Sequence, residues 1–220
     1  MVSDVEKYDG LLEIYHSQQR TEMLRYLPED VKVILDVGCS EGGFGELVKK
    51  QRNAEVWGIE LFPLAAEKAM ARLDRVFVGN IENDKFDIPE HYFDCIVFND
   101  VIEHLYSPWD VLIQVKKLLK KNGIIVASIP NIRYFAHIKN LLQKGDWDYE
   151  DCGLMDRTHI RFFTVNSMRK MFNECGYEVE KIEGIKFVEF PWKLNLLNKL
   201  LRNRLDDMRY VQFACVVRLH

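Results

Sequence analysis

The sequence has no C-x-x-C pair, and its five cysteines (Cys39, Cys95, Cys152, Cys175 and Cys215) are an odd number spread far apart. Neither a zinc site nor a disulfide framework fits that spacing, so reduced thiols in the cytoplasm are expected. Nowhere does an uncharged apolar run reach the length of a membrane span, and the opening "MVSDVEKYDG" is charged and has no apolar signal core. A protein that neither crosses a membrane nor follows an ordinary export signal is expected. Excess positive charge is absent as well: 30 Lys and Arg stand against 34 Asp and Glu, a net charge of -4. No overall basic field is there to grip a phosphate backbone, which argues against nucleic acid as the main partner and for a small-molecule site. Internal repeats and low-complexity linkers are missing too.

What is present is a chain of 220 residues, 48% hydrophobic and 29% charged, long enough for one well-buried domain and short for two. A single domain over 1–220 is expected. From residue 31, short apolar runs alternate with helix-length amphipathic stretches, the pattern of βαβ units on a mostly parallel sheet. "VKVILDVG", "AEVWGIELF", "DRVFVGNI", "YFDCIVFND" and "GIIVASIP" read as five strands. Between them lie the helices "GFGELVKKQ", "LAAEKAMARL" started by Pro63, and "SPWDVLIQVKKLLKKN" stopped by Gly123. An insertion over 131–163 follows, with helical "NIRYFAHIKNLLQKG" and then polar, aromatic "DWDYEDCGLMDRTHIRFF". A helix "TVNSMRKMFNECG", a strand "YEVEKIEGI", an amphipathic helix over 190–206 and a strand "RYVQFACVVRL" complete the order.

Four of the 12 glycines, Gly38, Gly42, Gly43 and Gly45, crowd into the end of "VILDVGCSEGGFGELV". A buried strand running into a tight turn leaves room for a ligand at its carboxyl end. As G-x-G-x-x-G the stretch has Ser40 at the middle glycine and is a weak dinucleotide match. As D-x-G-x-x-x-G it places Asp36 at the strand end, where a carboxylate can accept from turn N–H groups or hold an ammonium through water. Glu60 closes the second strand, and its acceptor-only oxygens suit the two hydroxyls of a ribose.

"ILDVGCSEGGF", "GIEL", "GNIE", "FDCIVFNDVIEHL" and "LKKNGIIVASIPN", in this order, resemble the successive motifs of class I S-adenosylmethionine-dependent methyltransferases. More narrowly the chain is similar to ubiquinone-type small-molecule O-methyltransferases. Its "PNIRYF" and "DRTHIRFFT" are similar to those of methyltransferases associated with bacterial surface-polysaccharide synthesis. The resemblance implies a single Rossmann-like α/β domain with a seven-stranded sheet, an antiparallel last strand, helices on both faces and an N-terminal helical segment over 1–30. It assigns Gly38, Ser40 and Gly42 to the cofactor turn, Glu60 and Leu61 to the ribose end, Asn80, Ile81 and Glu82 to the adenine side, and Asn99 to the methionine side. Arg20 matches an arginine that can clamp the cofactor carboxylate. The expected cofactor is S-adenosyl-L-methionine, with S-adenosyl-L-homocysteine as product.

A hydroxyl acceptor needs somewhere for its proton to go, and histidine is the usual base. His104 in "NDVIEHL" follows the fourth strand, and His159 in "DRTHIRFF" lies in the segment expected to roof the acceptor. Glu103 beside His104 gives one acid and one histidine, too few for a metal site, so no metal is expected. Trp147, Tyr149 and the acids of "DWDYED" suit a sugar ring, or form an acidic loop anchored by two aromatics. In "WKLNLLNKLLRNRL", Leu194, Leu197, Leu201 and Leu205 share a stripe flanked by Lys193, Lys199, Arg202 and Arg204. Core or dimer packing is the plainer reading of that stripe, and contact with an anionic membrane the sharper one. The expected activity is methyl transfer to a hydroxyl of a sugar or lipid-linked glycan precursor. A phenol or quinol, an amino sugar nitrogen and a noncatalytic cofactor-binding role are the alternatives.

Overall fold

The computed structural model describes residues 19–219. Most of the expected 1–30 segment lies outside the described residues; within them it holds one 3-10 helix, Thr21–Tyr26, which buries Met23, Leu24 and Tyr26. The strands are β1 (Val33–Val37), β2 (Glu55–Glu60), β3 (Arg75–Val78), β4 (Phe93–Asn99), β5 (Leu119–Pro130), β6 (Tyr177–Phe187) and β7 (Tyr210–Leu219). The helices are α1 (Gly43–Arg52), α2 (Pro63–Met70), α3 (Pro108–Val115), α4 (Phe135–Lys144), α5 (Val165–Glu174) and α6 (Trp192–Leu200). They form one seven-stranded sheet in the order β3-β2-β1-β4-β5-β7-β6. Strands β1 to β5 pair in parallel, and β7 runs antiparallel between β5 and β6, as expected.

The central strands β1, β2 and β4 and the second half of β5 are buried almost throughout because helices cover both faces, whereas the edge strand β6 carries Glu178, Glu180, Lys181, Glu183 and Lys186. Leu35, Val37, Ile96 and Phe98 pack with Val111 and Leu112 of α3 and Met168 and Phe172 of α5. Ile34, Val56 and Val97 point the other way, onto Phe44 and Val48 of α1 and Ala69 of α2. Local chemistry fixes the helix ends. Pro63 and Pro108 open α2 and α3, where a missing N–H costs nothing. Thr164 Oγ1 accepts from the Ser167 N–H at 3.2 Å, while Ser167 Oγ accepts from the Thr164 N–H at 2.8 Å, a reciprocal cap for α5.

Two expectations change. The helix expected to run to Gly123 ends at Val115, and after a 3-10 turn (Lys116–Leu118) the chain enters β5 at Leu119. The sheet claims Leu119 first: it pairs with Phe93 and is fully buried, and the register then shifts so that Cys95 faces Ile124. Gly123 is required there by crowding, since an added Cβ would sit 2.9 Å from Leu119 Cδ2 and 3.1 Å from the Phe93 carbonyl oxygen. The helix expected over 190–206 is α6 alone, and it does not cover the sheet: Leu196, Leu197, Leu200 and Leu201 are exposed, while Asn198 is buried.

Strand order reverses between β1 and β4, so the loops leaving them diverge and open a crevice at the carboxyl ends of the strands.

Candidate functional site at the carboxyl ends of the strands

The turn after β1 is built from left-handed residues: Gly38 has φ 70°, Ser40 φ 52° and Gly42 φ 81°. Gly38 and Cys39 N–H both donate to the Ile59 carbonyl, at 2.8 and 3.2 Å, which ties the turn to the end of β2. A Cβ on Gly38 would lie 2.5 Å from Val101 Cγ2, so glycine is demanded there by φ and by Val101. Asp36 and Glu60 are buried beneath this turn. Burial, with the Glu60 charge second, pushes the Asp36 carboxyl up to about 8. Glu60 already has two partners: Oε2 accepts from the Ser40 N–H at 2.7 Å and Oε1 from the Phe62 N–H at 2.9 Å. Each oxygen keeps a second lone pair for a ligand. Leu61, next in the chain, is exposed.

In the loop after β3, Asn80 Oδ1 accepts from the Glu82 N–H at 2.8 Å, so the oxygen expected to face an adenine amino group also caps its own loop. Glu82 Oε1 accepts from the Ser107 N–H at 2.8 Å, and Ile81 is buried in the core. The loops after β3 and β4 are thereby joined.

At the end of β4, Asn99 presents a buried amide whose nitrogen and oxygen both have no hydrogen-bond partner among the described residues. Asp100, passed over in the sequence, adopts φ 56° and forms the centre of a network. It makes an ion pair with Arg20 Nη1, and its Oδ1 accepts from Gln212 Nε2 at 2.9 Å and from Ser128 Oγ at 3.1 Å. Arg20 is buried, and its Nε meets Glu22 Oε1 at 3.0 Å. The arginine expected to clamp a cofactor carboxylate is therefore held by protein carboxylates beside Asn99. The signal for Asp100 was legible, an acid directly after a strand-end asparagine in "FND".

Beyond Asp100 the chain brings together residues 55 positions apart. His104 and His159 meet edge to face with ring centroids 4.7 Å apart, and His159 Nε2 lies 3.9 Å from Glu103 Oε1. The segment carrying His159 is fastened to the β4 exit: Ile160 and Arg161 N–H both donate to the Glu103 carbonyl at 3.0 Å, and Arg161 also donates to the Tyr106 carbonyl. Nδ1 of His104 faces the Thr158 carbonyl at 3.2 Å and Nδ1 of His159 the Leu154 carbonyl at 3.0 Å. A carbonyl only accepts, so both imidazoles carry their proton on Nδ1 and their lone pair on Nε2. Burial lowers the pKa of both rings, and His159 lowers that of His104 further. Glu103 is 1% exposed, both its oxygens lack a hydrogen-bond partner among the described residues, and burial pushes its carboxyl up to about 8. The sequence offered one acid and one histidine here; the fold adds His159, and ligand-type atoms of Glu103, His104 and His159 all lie within 4.8 Å of one another.

His159 also lines a cavity of about 440 Å³ with Tyr149, Arg157, Ile160 and Phe162. Trp147 packs edge-on against Phe162 at 5.4 Å and against His137 at 5.0 Å, so the aromatics of "DWDYED" are fixed beside this space.

A family model described as a methyltransferase domain matches residues 12–182. The chain is 26% identical over 171 residues to the ubiquinone biosynthesis O-methyltransferase of Histophilus somni (strain 2336), covering 70% of this chain and 71% of that one. A SAM-dependent methyltransferase from Archaeoglobus fulgidus has the same fold, with a TM-score of 0.65 at 19% identity over 97% of this chain and 96% of its own. The plantazolicin methyltransferase BpumL, solved in complex with SAH, gives 0.63 at 17% identity over 95% of this chain and 89% of its own. The family model spans well over half of the sequence, and the crevice lies where open α/β sheets bind their ligands. This chain belongs to the class I S-adenosylmethionine-dependent methyltransferases, and S-adenosylmethionine is its methyl donor.

Proposed function

We propose that this enzyme methylates a hydroxyl on a ring-shaped small molecule, with a sugar or glycan precursor as the acceptor and His159 as the base. The observation that carries the reading is His159 itself, which joins the Glu103–His104 cluster on one side and lines the cavity on the other. The aromatic faces of Tyr149 and Phe162 with the Arg157 guanidinium suit a ring that carries polar groups. All five cysteines are free thiols, which fits a reducing compartment such as the cytoplasm.

The residues at the crevice fit the cofactor. The unpartnered amide of Asn99 suits its amino-acid end, with Arg20 behind it, and the spare lone pairs of Glu60 suit ribose hydroxyls. In this reading Asp36, Gly38, Ser40 and Gly42 shape the turn around it, Leu61 stands beside Glu60 at the ribose end, and Asn80, Ile81 and Glu82 border the adenine. Bound S-adenosylmethionine supplies a methyl group on a sulfonium, and S-adenosylhomocysteine is what remains. Nε2 of His159, which keeps its lone pair, would take the proton that the acceptor hydroxyl gives up on methylation. Nδ1 stays bonded to the Leu154 carbonyl, and Glu103 stands within reach of the resulting imidazolium. His159→Ala should lower turnover ~10²–10⁴-fold with S-adenosylhomocysteine affinity nearly unchanged. Full turnover in that variant would end the assignment, and the same loss in His104→Ala alone would move it to His104.

A second reading has a specific observation in its favour. The similarity to a ubiquinone biosynthesis O-methyltransferase, together with three ligand-type atoms within 4.8 Å, fits a phenolic acceptor activated at a divalent ion held by Glu103, His104 and His159. Calorimetry with manganese or zinc on chelator-treated protein decides between a plain base and a metal site.

A further inference from the structure

Helix α6 is turned the opposite way from an ordinary amphipathic helix. Its buried side chain is Asn198, 1% exposed, which donates to Asp206 Oδ1 at 2.7 Å and accepts from the Leu205 N–H at 2.9 Å. Its outer stripe, at i, i+4 spacing, is Trp192, Leu196 and Leu200, exposed by 73%, 55% and 73%. Leu197 and Leu201 widen that stripe. Lys193, Lys199, Arg202 and Arg204 are exposed around it, and none of the four is in an ion pair among the described residues. From Phe190 to Leu205 the sequence holds no acid. Helix α4 begins beside it, with the Phe135 and Phe190 rings 5.5 Å apart, and it too has no acid, exposes Leu142 and carries Lys139 and Lys144.

A second copy of the chain suits this face poorly, because an isologous contact would set four unpaired cations against their own equivalents. The cations of α6 outnumber the acids at its ends, Glu189 and Asp206, of which Asp206 is engaged by Asn198 and Arg209, so the rim complements anionic headgroups; long Lys and Arg stems reach outward past apolar neighbours, and Trp is at home at an interface. The stripe from Trp192 to Leu200 is about 12 Å long, suited to lying in a surface. Among the described residues no helix is long and apolar enough to cross a membrane.

We propose that the outer face of α6 docks on an anionic lipid bilayer, with Trp192, Leu196 and Leu200 at the headgroup boundary and Lys193, Lys199, Arg202 and Arg204 on lipid phosphates. The test is flotation of the full chain with vesicles of phosphatidylglycerol in phosphatidylcholine and with phosphatidylcholine alone. Binding to the anionic vesicles only, weakened by salt, is expected. Lys199→Gln with Arg202→Gln should weaken it about 10- to 30-fold. Leu196→Asn with Leu200→Asn, both at exposed positions, should abolish it while helical circular dichroism and S-adenosylhomocysteine affinity persist. No binding by the native chain, equal binding to both vesicles, or native binding by the leucine variant overturns the proposal. A concentration-dependent dimer that the leucine variant disperses, without vesicle binding, overturns it in favour of a self-contact.

Discussion

Asp36 and Glu60 lie under the same turn and differ in what surrounds them. Asp36 is pushed up to about 8 by burial, whereas its unfolded counterpart titrates at ~4. Between those values the native state holds a proton that the unfolded chain has lost. The stability that Asp36 contributes is fully present below about pH 4 and falls as pH rises to about 8. Asp36→Asn should flatten this fall, read as melting temperature against pH in the protein without cofactor; an unchanged slope would show that another group carries it. Glu60 is bonded to the turn through the Ser40 and Phe62 N–H groups, so its removal touches the fold and, in the proposed reading, the ligand as well. Glu60→Ala should weaken S-adenosylhomocysteine ~10- to 100-fold by calorimetry and also lower the melting temperature. A lower melting temperature with native affinity would leave Glu60 a purely structural role.

Elements whose ends are written in local chemistry were the ones legible from sequence. Pro63 and Pro108 mark helix starts, and Gly145, with φ 68° and an N–H to the Leu141 carbonyl at 2.9 Å, marks the end of α4. Thr164 and Ser167 cap α5 reciprocally, so Thr164→Ala should cost about 1 kcal/mol in urea unfolding. The helix itself should survive, because Met168, Met171 and Phe172 stay buried against the sheet. An unaltered midpoint would mean that this packing alone sets the end of α5. The boundary at Gly123 misled for the converse reason: a pairing with Phe93 ended the helix early, and pairing partners are invisible in a local window. The leucines of α6 misled as well, since periodicity gives a stripe but not the side of the helix that faces the protein.

Across the whole molecule, the alternation of segments carried the parallel βαβ part of the sheet, whereas the seven-strand count, the antiparallel last strand and the cofactor-side residues of the loops after β3 and β4 were implied by the resemblance to methyltransferases. The cluster at the roof was not legible, because Glu103 and His104 are 55 or more residues from His159 and are brought together by tertiary bonds, from the Ile160 and Arg161 N–H groups to the Glu103 carbonyl and between His104 Nδ1 and the Thr158 carbonyl. Arg20 was legible as a cation ahead of β1, but its partners come from Asp100 after β4 and Gln212 on β7. That network has a consequence for synthesis. A ribosome delivers Arg20 early, Asp100 and Ser128 midway, and Gln212 only with the last described strand. Until then the Arg20–Asp100 pair lacks Gln212 and β5 has an open edge where β7 will lie. The strand that covers the edge of β5 is the same strand that completes the wall behind Asn99, so a nascent chain acquires its finished crevice in the same step that pairs that edge.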